Sequence, residues 1–120
     1  MKVEKARRRK AHRKGHWAEW KAAAALFFKG YRIVAIRYKT TLGEIDLIAR
    51  KGDLAVMVEV KARATIQQAV DAINATTRQR INDAADLWLA RQKNSDRISI
   101  RFDIIAVCPG KWPAHFKDAF

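Results

Sequence analysis

The chain has a single cysteine, Cys108, among its 120 residues. No internal disulfide can form, and the apolar strand-like run around Cys108 is where a free thiol behaves as a small hydrophobe. Long apolar runs are missing too. The longest, Ala22 to Phe28, is about a third of the roughly 20 residues that a membrane-spanning helix needs. The basic N-terminus leads into no apolar signal core, so the expected setting is reduced and cytoplasmic, with no membrane partner. No glycine-rich phosphate loop occurs, which argues against an NTPase. His12, His16 and His115 lack metal-ligand spacing, so nothing indicates a zinc site. There is neither an internal repeat nor a linker that would divide the chain.

Acidic residues are scarce: 12 Asp and Glu face 25 Lys and Arg, a net charge of +13 with a pI near 10.5. Such an excess in a small protein favours a polyanionic partner, nucleic acid first. Residues 1–14 hold eight Lys or Arg against Glu4, a net of +7, which leaves +6 for the other 106 residues. That arm, with Arg7, Arg8 and Arg9, reads as a disordered basic segment able to bind phosphates through counterion release. Residues 15–120 read as one domain, because hydrophobic residues make up 49% of the chain and supply a real core.

Residues His16 to Lys29 have helical character: Trp17, Trp20, Ala24 and Phe27/Phe28 fall near helical spacing, and Gly30 is a natural stop. Strands are expected over Tyr31 to Tyr38, Gly43 to Ala49 and Leu54 to Ala62, the last two joined as a hairpin by the short Lys51-Gly52-Asp53 link. Capping-box spacing at Thr65…Gln68 and again at Thr76…Gln79 predicts two helical segments with a bend near Asn74. Ile98 to Val107 reads as the last strand, with Lys111 to Phe120 lying against the body as irregular structure. A strand, a helical crossover and a second strand are usually parallel and right-handed. The order α-β-β-β-α-β therefore implies a mixed sheet with helices packed on it. The four Trp residues are expected in the core.

Two stretches carry the chemistry, Gly43-Glu44-Ile45-Asp46 and Val58-Glu59-Val60-Lys61. Alternation along a strand puts Glu44 with Asp46, and Glu59 with Lys61, on one face each. The hairpin then brings Asp46 and Glu59 together in apolar surroundings, where carboxylates need compensation by a cation. Hard oxygen ligands suit Mg²⁺ or Mn²⁺, which can position and activate a water and neutralise charge on a phosphate. Asp46 and Glu59 are the first candidate ligands, Glu44 a further ligand or outer contact, and Lys61 the group that orients the attacking water. Arg63, Arg78 and Arg80 are candidate phosphate contacts. Glu19, a lone helical acid between Trp17 and Trp20, is ambiguous on its residues alone. Asp103, alternating with Phe102 and Ile104, is expected to be structural.

The pattern Gly15…Glu19…Leu26…Gly30, then Gly-Glu-Ile-Asp-Leu-Ile from Gly43, Val-Glu-Val-Lys-Ala-Arg from Val58 and Arg-Phe-Asp-Ile-Ile from Arg101, resembles the YraN-like family of uncharacterised proteins. Leu87-Trp88-Leu89-Ala90 and the closing Lys117-Asp118-Ala119-Phe120 extend the likeness over nearly all of residues 15–120. That family is similar to the restriction-endonuclease-like superfamily, especially archaeal Holliday-junction resolvases. The resemblance implies an α/β three-layer core with a mixed four-stranded sheet flanked by helices. It also implies an acid, a spacer and an acid-x-Lys as the metal site: Asp46, Glu59 and Lys61 here, with Glu19 as the acid on the first helix. Ile45 stands where the superfamily often has Pro, and Thr77 beside Arg78 where the family often has Lys.

The function so implied is metal-dependent hydrolysis of phosphodiesters in DNA, branched or structured DNA favoured. Two cuts in a four-way junction would then call for a homodimer. The alternatives are a non-catalytic basic accessory module of a DNA-processing complex, and an RNA- or ribosome-associated protein.

Overall fold

The computed structural model describes residues 16–120. The basic arm, including Arg7, Arg8 and Arg9, and the expected boundary at residue 15 lie outside the described residues. Helix α1 covers residues 16–28 and ends in a left-handed glycine, Gly30, with φ +90°. The Tyr31 N–H reaches back to the Leu26 carbonyl and the Gly30 N–H to that of Phe27, each at 3.0 Å. This pair of bonds closes the last carbonyls of the helix and aims the chain straight into the sheet.

Five strands follow: β1 (Arg32–Lys39), β2 (Glu44–Lys51), β3 (Leu54–Ala62), β4 (Ser99–Val107) and β5 (Ala114–Phe116). Between β3 and β4 run α2 (Ile66–Asp71), α3 (Ala75–Ala90) and a 3₁₀ turn at Ser95–Arg97. The strands lie in the sheet in chain order. The pairs β1/β2, β2/β3 and β4/β5 are antiparallel, and β3/β4, joined by the helical crossover, is parallel. Lys51 pairs with Leu54 across a two-residue turn, and Gly52 supplies its positive φ of +60°.

Three layers result. On one face α1 packs Ala18, Ala22, Ala23 and Leu26 against Leu47, Val56, Val58, Val60, Ile105 and Val107. On the other, α3 packs Ile81, Ala84, Ala85 and Trp88 against Ile48, Ala55 and Met57, while Ala69 of α2 meets Ala106 and Cys108. Covered on both sides, β3 is buried without a break from Ala55 to Val60. Truncating a fully buried side chain such as Leu47 would cost about 2–5 kcal/mol.

Three expectations need correction. The buried stripe of α1 is its alanines and Leu26, not Trp17, Trp20, Phe27 and Phe28, which stay exposed together with Trp112; of the four Trp residues only Trp88 is in the core. Both stripes have helical period, and the small one lies inward because alanines let the helix approach the branched side chains of the sheet. The cap of α3 is Asn74, whose side chain accepts from the Thr77 N–H at 2.9 Å, so Thr76 lies within the first turn. The C-terminal segment is also more regular than expected. Its Ala114–Phe116 pairs with β4 as a fifth strand, and Phe120 packs on Phe102 with ring centroids 5.5 Å apart.

Candidate functional site

The β2/β3 ladder runs from Lys51↔Leu54 to Leu47↔Val58 and stops one position before Asp46 would meet Glu59. There the Asp46 side chain takes the place of backbone: its Oδ2 accepts the Val60 N–H at 2.8 Å. The alternation of β2 also breaks at this point, since Leu47 faces α1 whereas Ile45, two residues earlier, packs with Ile48 towards α3. On the neighbouring strand Arg37 has φ +52° between the pairs Ile36↔Leu47 and Tyr38↔Ile45. Such a conformation is uncommon for a residue with a side chain and costs of order 1 kcal/mol or more.

The splayed strands leave a hollow of about 270 Å³ lined by Glu44, Asp46, Glu59, Lys61, Thr77, Arg80 and Ile81. The Lys61 Nζ stands 3.2 Å from Glu59 Oε1, with both side chains largely buried. A second hollow of about 460 Å³ shares Glu44 and Arg80 and adds Lys39, Thr40, Thr41, Leu42 and Gly43. Gly43 is required where the two meet: a Cβ there would lie 2.6 Å from the Arg80 carbonyl oxygen, so the turn leading into β2 touches α3 backbone to backbone.

Burial pushes the Asp46 carboxyl up to about 8; the charges of Glu59 and Glu19 add to this, while the Val60 N–H and Lys61 oppose it. Glu59 is raised as well, by burial first, against the pull of the Lys61 ammonium and a hydrogen bond with Asp46. Burial and mutual repulsion thus disfavour two full negative charges here, the condition expected of a carboxylate pair short of positive charge. Among the described residues, no three His, Cys, Asp or Glu side chains are placed to enclose an ion. Two carboxylates with room for water and phosphate oxygens still fit Mg²⁺, which binds through one or two carboxylates and keeps several waters.

The structure therefore brings Glu44, Asp46, Glu59, Lys61 and Arg80 to one place. Glu19 is buried on α1, where it accepts from Arg37 Nη1 at 2.8 Å; it acts on Asp46 through its charge and lines neither hollow. Arg63 is exposed and donates to the Ala62 carbonyl, and Arg78 is exposed in the first turn of α3. Arg37, Lys39 and Thr77 belong to the surroundings of the site although no motif marks them.

A second polar centre lies on the α1 face. Asp103 is fully buried and accepts from Arg101 Nε and Nη2 at 2.9 and 2.8 Å, from the Asp118 N–H at 2.9 Å, and pairs with His115 Nε2 at 2.6 Å. Arg101 also donates to the Tyr31 hydroxyl, and His115 Nδ1 meets the Lys29 ammonium at 3.0 Å. Burial alone would raise the Asp103 carboxyl, but these hydrogen bonds outweigh it and hold it down to about 2. Asp103 thus makes the hydrogen bonds and ion pairs expected of it in β4.

Fold and site together define a small three-layer α/β protein whose central hairpin opens onto an acid, acid-x-Lys cleft. The chain belongs to the Uncharacterised protein family UPF0102, whose profile matches residues 18–107, in agreement with the YraN-like resemblance. A UPF0102 protein of Agrobacterium fabrum is 60% identical over 114 residues, covering 95% of this chain and 93% of its own. One from Mesorhizobium japonicum is 56% identical over 115 residues, with 96% and 92% covered. One from Rhizobium meliloti is 55% identical over 122 residues, with both chains covered in full.

Proposed function

We propose that this protein is a Mg²⁺- or Mn²⁺-dependent nuclease acting on DNA, with branched or structured DNA as the favoured substrate, in the cytoplasm. The observation that carries the reading is the cleft where Asp46 leaves the ladder beside Glu59 and Lys61, with Arg80 on its rim. No helix among the described residues is long and apolar enough to cross a membrane.

A divalent ion bound there would supply charge neutralisation and an acidified water. Asp46 and Glu59 would hold it, with Glu44 as an outer contact. Lys61, freed from Glu59 by the ion, would orient the attacking water and face the charge developing on the phosphate. Glu19 would act at one remove, through Arg37 and its field at Asp46. Arg80 would meet a phosphate next to the scissile one, and Arg63, Arg78 and the arm would contact backbone further off. The deciding assay is cleavage of four-way, forked, duplex and RNA substrates with Mg²⁺, Mn²⁺ or EDTA.

A second reading, a non-catalytic accessory module, is favoured by one observation: each acid already has a partner within the protein, Lys61 for Glu59 and the Val60 N–H for Asp46. An RNA- or ribosome-bound role would appear as preference for RNA in the same panel.

Two expected results follow. Because the Asp46 carboxyl is raised to about 8, an ion must displace its proton at lower pH. The affinity for Mn²⁺ should rise with pH by up to about tenfold per unit and level off above 8; titration calorimetry in buffers of different ionisation enthalpy should show proton release below that pH. A pH-independent affinity would remove Asp46 from the ligands. Deleting residues 1–14 should weaken binding to every nucleic acid alike and flatten the salt dependence of log K, as loss of non-specific phosphate contacts does. An unchanged slope would make the arm a bystander.

A further inference from the structure

The outward face of α1 consists of Trp17, Trp20, Lys21, Ala24, Phe27 and Phe28 and continues into Trp112, whose ring lies 6.2 Å from that of Phe28. The five aromatic residues are each between 59% and 73% exposed. The solvent face of a surface helix is ordinarily polar. Here the one charge is Lys21, and its ammonium sits 5.5 Å over the Trp17 ring. Glu19, the acid of this helix, points inward to Arg37. Beside Ala24 opens a cleft of about 360 Å³ lined by Lys21, Ala24, Gly110, Lys111, Trp112 and Pro113.

We propose that this face is the interface between two copies of the chain, with their α1 helices crossing antiparallel at Ala24. The stripe is self-complementary about that residue. Trp20 lies four positions before it and Phe28 four after; Lys21 lies three before and Phe27 three after. An isologous pair therefore sets Trp20 of each copy against Phe28 of the other, and Lys21 over the ring of Phe27. Ala24 lets the two backbones approach, and the adjacent cleft receives an aromatic ring from the second copy. Aromatic side chains bury about 150–250 Å² each, so five at two-thirds exposure bring roughly 500–800 Å² per copy, close to the ~800 Å² of a standard interface. The exposed aromatic surface far exceeds that of the two cations beside it, Lys21 on the stripe and Lys111 in the cleft, which favours a second copy over nucleic acid or an anionic lipid surface. The proposal stands apart from the nuclease reading, because its test measures mass rather than cleavage.

Sedimentation velocity of the full chain at tens of micromolar should give twice the monomer mass of 13.7 kDa. Trp20→Glu combined with Phe28→Glu should raise the dimer dissociation constant about 100-fold or more, as loss of central aromatic contacts does, with an unchanged circular dichroism spectrum. Ala24→Cys gives a test that leaves the aromatic face intact. It should oxidise to a symmetric disulfide dimer far faster than Leu42→Cys, an exposed control on the β1–β2 turn. A monomer at these concentrations, or equal oxidation rates of the two variants, overturns the proposal. A monomer whose tryptophan emission responds to DNA or to anionic vesicles would assign the face to that partner instead.

Discussion

Lys61→Ala is expected to lower cleavage of a branched DNA substrate by a factor on the order of 10² or more while its Kd for that substrate changes little. The ammonium lies inside the cleft against Glu59, too deep to grip a duplex, so its loss falls on the transition state rather than on binding. Asp46→Asn and Glu59→Gln should abolish cleavage by a different route, loss of the ion. The two outcomes separate in metal affinity: Mn²⁺ binding should survive Lys61→Ala and fail in the acid variants. Removing a negative charge near phosphate should also leave DNA binding by the acid variants equal or tighter. Glu44→Gln, at the exposed rim, should have the mildest effect of the four. Cleavage and binding must be measured on one substrate, with folding of each variant checked by circular dichroism. Wild-type cleavage by Lys61→Ala would sink the mechanism. Absence of cleavage by the wild type on every substrate would give the cleft to the accessory-module reading.

The proximity of Asp46 and Glu59 was legible in the sequence for a simple physical reason. Two strand-forming runs joined by a very short link can hardly do anything but pair, and pairing back from Lys51↔Leu54 fixes the register. What alternation could not show is the break at Asp46, because it arises from a backbone irregularity shared with Arg37 on the next strand. The direction in which α1 faces was not legible either. Periodicity finds stripes but not which of two apolar stripes lies inward, and the choice here was made by the steric demand of Val56, Val58 and Leu47 beneath the helix. Asn74, not Thr76, caps α3, because an Asn two residues ahead of a capping-box pair can satisfy the same first turn. His115 lay hidden in a segment without periodic pattern, and its partners Asp103 and Lys29 are 12 and 86 positions away.

Asp103→Ala should be the most destabilising single polar change in the protein, by about 3–5 kcal/mol, the usual cost of breaking a buried ion pair from one side. The carboxylate it removes is fully buried and answers Arg101, His115 and the Asp118 N–H at once. Without it, the buried His115 ring and the Arg101 guanidinium lose their acceptor, and β5 with the C-terminal turn loses its tie to the sheet. The pH dependence distinguishes this charge effect from mere loss of packing. A carboxyl held near 2 against an ordinary 3.8 stabilises the folded state by roughly 2 kcal/mol, since each pK unit is worth about 1.4 kcal/mol. That contribution is fully present above pH 4 and fades as pH falls through 2, where the folded-state carboxyl itself takes a proton. Asp103→Asn, nearly the same size but never charged, should therefore be less stable than wild type by about that amount at pH 6 in urea unfolding, and the gap should close towards pH 2. A gap that stayed constant with pH would mean that shape, not charge, holds β5 in place.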